Sequence, residues 1–105
     1  MKKIINGYRY DTEKAILVGE SGSSGYAKSD FNYWEAGLYK TKRSGKFFVA
    51  GQGHAMTRFA SHCAGLSGWG SKIIPMAPEE ALEWAEQNLN SEIIEEHFAD
   101  QIQDA

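Results

Sequence analysis

The chain has 105 residues, 42% of them apolar and 12% aromatic, with two prolines and one cysteine, a composition that fits one folded domain over residues 1–105 and excludes a disordered chain or two separate cores. The lone cysteine rules out an intramolecular disulfide framework and fits a reducing, cytoplasmic setting. No apolar run approaches the roughly 20 residues of a membrane helix, and the Ile4-Ile5 pair is too short for the core of a secretion signal. The net charge of −3 conceals a division: residues 1–58 hold ten Lys/Arg against five Asp/Glu, whereas 59–105 hold Lys72 alone against nine carboxylates.

Asn6-Gly7 is a turn signal, and Tyr8 and Tyr10 alternate with polar neighbours as a short strand does. Asp11 or Thr12 is expected to cap two helical turns over EKAILVGE, ended by Gly19. SGSSG reads as a flexible loop. Phe31, Tyr33 and Trp34 open an aromatic strand. The strand turns at a three-residue loop with Gly45 in the left-handed position and returns as KFFVAGQG.

Met56, Phe59, Ala60 and Cys63 fall at helical spacing, which predicts a short helix. Ser67 to Gly70 is expected to be a loop carrying Trp69, and Ile73-Ile74 a strand. The plainest helix follows: Pro78 suits its first turn, Glu79 and Glu80 its positive end, and Ala81, Leu82, Ala85 and Leu89 mark its inward face. Ser91 is expected to cap a last helix with Ile94, Phe98 and Ile102 on one face. The expected fold is α+β: a small antiparallel sheet including the 38–51 hairpin, helices packed on one face, and acidic C-terminal helices. Tyr10, Trp34, Phe48, Phe59 and Leu82 are the expected core.

IINGYRYDTEKA, LYKTKRSGKFFVAGQG and IIPMAPEEALEWAEQ together resemble small proteins of bacterial plasmids, integrative elements and prophages. The resemblance spans most of the chain. It implies an accessory protein of a mobile element, of the class that includes anti-CRISPR and other anti-defence inhibitors. It supplies no active site.

The candidate chemistries differ in what the spacing allows. His54 and His62 on one helix would stand about 12 Å apart along the axis. His62 and Cys63 are adjacent and diverge, so no metal site and no cofactor is expected. Cys63 with His54 or His97 could make a thiol site only through folding, without a local signature. GQGHAM lacks both the rest of a dinucleotide fingerprint and the lysine of a phosphate loop. No catalytic residue is therefore expected.

Two charged regions remain. Lys40, Lys42, Arg43 and Lys46, beside Tyr39, Phe47 and Phe48, could contact phosphates and stack on bases. Charged hairpin tips also keep strand ends soluble, and the carboxylates of the other half oppose approach of a nucleic acid. Glu79, Glu80, Glu83, Glu86, Glu92, Glu95, Glu96 and Asp100, followed by Asp104, form an acidic region without Lys or Arg. Such a surface can imitate phosphate spacing and steer association with a basic protein. The expected function is a non-enzymatic inhibitor of a host defence complex of the CRISPR-Cas kind, acting in the host cytoplasm. Its expected partner is a basic nucleic-acid-handling protein. The alternative is a small nucleic-acid-binding protein using the basic hairpin.

Overall fold

Short strands rich in β-branched, aromatic and small residues make up the first three quarters of the chain, and helices the last quarter. The structure, a computed structural model, describes residues 1–105. Strands β1 (Lys2–Ile5) and β2 (Tyr8–Asp11) form an antiparallel ribbon. Asn6 and Gly7 join them with φ of 52° and 81°, the paired left-handed conformation of a tight hairpin turn.

Four strands build the central sheet: β3 (Ile16–Gly22), β4 (Trp34–Lys40), β5 (Phe47–Gly53) and, after an excursion through the small hairpin β6 (Ser61–Cys63) and β7 (Leu66–Gly68), β8 (Gly70–Met76). Their order is β3-β4-β5-β8, every pair antiparallel. Helices α1 (Pro78–Asn88) and α2 (Ser91–His97) and a 3₁₀ turn at Ala99–Gln101 complete the chain. No helix is long and apolar enough to cross a membrane.

Alternation along the strands sends successive side chains to opposite faces of the sheet. One face presents Val18, Ala36, Leu38, Phe47 and Val49 to Ala81, Trp84 and Ala85 of α1 and to Phe98. Ala81 and Ala85, both fully buried, let α1 lie close to the strands, while Trp84 fills the space beside them. Phe98 stacks on Phe47 with centroids 5.0 Å apart. Two glycines permit these approaches: a Cβ at Gly19 would stand 2.7 Å from Leu89 Cδ2, and one at Gly51 2.8 Å from Phe59 Cε1.

The opposite face packs Phe48, Ala50 and Ile73 against Tyr10 of the β1–β2 ribbon, with Tyr39 and Ala15 alongside. The α+β architecture with helices on one face is as expected. Tyr10, Phe48 and Phe59 are core residues, and Trp34 and Leu82 are partly buried against the core.

Several local expectations fail. Residues 16–22 form an edge strand rather than a helix, because Ile16, Leu17 and Gly19 to Gly22 find backbone partners on β4, with Val18 left unpaired in a bulge. Asp11 caps only a turn: its Oδ1 accepts from the Glu13 amide at 3.0 Å. The 56–63 segment is not helical. Phe59 and Ala60 are buried while Met56 and Cys63 are exposed, and Ala64-Gly65 turns the chain into the β6–β7 hairpin with φ of 51° and 79°. The expected 67–70 loop lies largely within β7 and β8.

The β4–β5 tip is one residue longer than expected. The Thr41 amide donates to Lys46 O at 2.8 Å, leaving Lys42 to Gly45 as the loop, with Gly45 left-handed at φ 64°. Asn90, not Ser91, caps α2, its Oδ1 accepting from the Ile93 amide at 2.9 Å. Ile102 lies beyond that helix and is exposed.

Candidate interaction surfaces

The 3.6-residue period of α1 sets its carboxylates on the outside. Glu79, Glu83 and Glu86 lie opposite buried Ala81, Trp84 and Ala85. Glu80, a step round the helix, holds the helix start together. Its Oε1 accepts from the Ala77 amide at 2.9 Å and closes the first turn. On α2, Glu92, Glu95 and Glu96 are exposed, whereas Ile93 and Ile94 turn inward. Asp100 is exposed in the 3₁₀ turn and Asp104 beyond it.

One acid from each helix lines a shared groove. Glu86 and Glu95 flank a groove of ≈ 560 Å³ whose apolar lining is Leu82, Leu89, Ile94 and Ile102. The chain's one close ion pair, Glu96 with His97 at 3.8 Å, lies within α2. No lysine or arginine neutralises this layer.

The basic hairpin is divided by the fold. Lys40 and Lys46 turn back onto aromatic rings, with Lys40 Nζ 5.3 Å from the Phe47 centroid and Lys46 Nζ 4.3 Å from that of Tyr8. Phe47 and Phe48 are buried, and Tyr39, partly buried, has one face stacked on Phe48 at 5.3 Å. Lys42 and Arg43 remain exposed on the loop.

Arg9 of β2 and Lys14 of the following turn join them around a concavity of ≈ 530 Å³, with Asp11 as its single carboxylate. Charge content alone missed Arg9 and Lys14, which lie far from the hairpin in sequence. Their available signal was the alternation Tyr8-Arg9-Tyr10, which places Arg9 on the side of β2 away from the core.

A third cluster, also missed, sits where β4, β5 and β8 meet the 31–33 and 54–57 turns. Tyr33 stacks on Trp69 at 6.1 Å, Trp69 meets His54 edge-on at 6.0 Å, and His54 lies 5.1 Å from Phe31. Tyr33 donates its hydroxyl to Glu35 Oε2 at 2.7 Å, and Gln52 donates to the other carboxylate oxygen. The Tyr33 hydrogen bond, then that of Gln52, holds the Glu35 carboxyl below its ordinary value, with a smaller contribution from the charge of Lys28. The same bond to Glu35 raises the Tyr33 phenol above its ordinary value.

Nearby, a cleft of ≈ 460 Å³ opens between Tyr26, Trp34, Trp84 and Arg58. His62 bonds Ser67 across the β6–β7 hairpin at 2.8 Å, and Cys63 is exposed at the end of β6. No three His, Cys, Asp or Glu side chains converge as metal ligands would. Comparison of the chain with protein-family models, curated proteins and solved structures finds no match.

Proposed function

We propose that this protein is a non-enzymatic inhibitor encoded by a bacterial mobile element. It acts by docking its acidic helical layer into the basic nucleic-acid site of a host defence complex of the CRISPR-Cas kind. The observation that carries the reading is that Glu86 of α1 and Glu95 of α2 line one groove, each belonging to an exposed row of carboxylates on its own helix. Carboxylates on rigid helices present negative charge without reorganisation and favour fast, salt-sensitive association. The apolar lining between the rows adds the desolvated centre that a specific protein interface requires. The choice of target class follows the expectation, drawn from the sequence, of a mobile-element accessory protein.

The experiment is capture of partners on the tagged protein from a CRISPR-bearing bacterial host at low and high salt. The reversal Glu83→Lys/Glu86→Lys/Glu95→Lys/Glu96→Lys is run beside it. Recovery of a nucleic-acid-handling effector at low salt, lost at high salt and lost in the reversal variant, is the expected result. An effector retained in full by a folded reversal variant sinks the acidic-surface mechanism. Recovery of nucleic acid in place of an effector moves the function to the basic side.

A further inference from the structure

The concavity between β2, the turn that follows it and the β4–β5 tip gathers positive charge without answering it. Arg9, Lys14, Lys42 and Arg43 come from three separate segments, and Asp11 is the only carboxylate facing them. One oxygen of Asp11 is already engaged by the Glu13 amide, and none of the four cations makes an ion pair. Like charges brought together by folding repel one another, and an anion in their midst converts that repulsion into binding.

The supports are pre-set. Lys14 is placed by a turn whose amide donates to Asp11 O at 3.2 Å. The tip is braced by Thr41, whose hydroxyl accepts from the Lys46 amide and bonds Ser44, each at 2.9 Å. The backbone that carries the cations is thus held in place, and the ligand has only their side chains to order.

We propose that this concavity is a binding site for a compact, multivalent phosphate anion, with Arg9 and Arg43 as forked donors and Lys14 and Lys42 as point charges. Three observations favour a compact anion over a nucleic-acid strand. The lining carries four cations against one carboxylate, a match for a polyvalent group. The neighbouring aromatics are occupied: Phe47 and Phe48 by burial, Tyr39 by stacking on Phe48, and Tyr8 by Lys46. Tyr8 alone keeps exposed ring surface, and one ring is a poor platform for successive stacked bases. The acidic helices pack on the other face of the sheet, so an anion small enough to stay within the concavity meets none of their carboxylates.

The test is calorimetric and NMR titration of the full chain with pyrophosphate at low ionic strength, with chloride as control and a hexadeoxynucleotide as competing probe. Saturable one-site binding is expected, with shifts centred on Arg9, Lys14, Lys42 and Arg43. Arg9→Gln and Arg43→Gln should each weaken it about tenfold, the loss of one charge-assisted forked contact. Lys28→Gln/Lys72→Gln, a pair of charge losses outside the concavity, should change it by less than about twofold. If either arginine variant loses its fold by circular dichroism, Lys14→Gln/Lys42→Gln replaces it with the same expectation. Equal weakening in the control pair overturns the site in favour of diffuse charge attraction. Tighter binding of the hexadeoxynucleotide than of pyrophosphate overturns it in favour of a nucleic-acid track, and absence of saturation overturns it outright.

Discussion

The two faces of the central sheet carry charge of opposite sign and acquire it differently. On the helical face, the carboxylates come from one uninterrupted acidic segment, and helical periodicity alone turns Glu79, Glu83, Glu86, Glu92, Glu95 and Glu96 outward. On the ribbon face, the cations come from β2, a turn and a hairpin tip that only folding brings together. A regular row on two helices makes a broad surface, the one proposed to meet another macromolecule. A concavity assembled from three segments makes a local one, the one proposed to hold a small anion. Phe47 touches both regions, stacking on Phe98 from the helical layer and lying under Lys40 from the hairpin. A net charge of −3 therefore says little about what each side of this small protein presents.

The severest way to break the contrast is to detach the acidic layer. Phe98→Ala empties a fully buried position between α2 and the sheet and should cost about 3–5 kcal/mol. Urea unfolding reads it directly, and a loss under about 1 kcal/mol would mean that the layer does not depend on this anchor. Asn90→Ala removes the α2 cap and should cost about 1 kcal/mol. Thermal unfolding should register it while Ser91→Ala leaves the midpoint almost unchanged.

On the basic side, Lys46→Gln uncovers Tyr8 and should cost about 0.5–1 kcal/mol. A matching loss in Lys42→Gln, which has no such ring, would deny the division of the hairpin. The smallest effect belongs to neither charged face. Glu35, held below its ordinary value of 4.5 by Tyr33 and Gln52, contributes stability that is full above pH 4.5 and fades as pH falls through the lowered value. The acid limb of a stability–pH curve should therefore be shallower in Glu35→Gln than in the parent chain. Coincident limbs would remove Glu35 from the acid response.

Much of the fold was legible where local rules and tertiary packing agree. Asn6-Gly7, the strand pair around the Gly45 turn, Pro78 at the head of α1 and the inward Ala81 and Ala85 all follow from turn geometry or periodicity. Reading failed where a segment had two local options. Ile16 to Gly22 permits helix or strand, and the open edge of β4 decided for strand by supplying hydrogen-bond partners. Residues 56–63 show helical spacing, yet the glycines after them and the burial of Phe59 and Ala60 favoured turns and a hairpin.

The same line divides the candidate surfaces. The outward acidic rows were determined by the sequence, because a helix converts spacing directly into a face. Only the tertiary structure decided that Lys40 and Lys46 leave the hairpin's charge for Phe47 and Tyr8, and that Arg9 and Lys14 join Lys42 and Arg43. Contacts between segments distant in the chain depend on how the ribbon packs against the sheet, and no local periodicity encodes that packing.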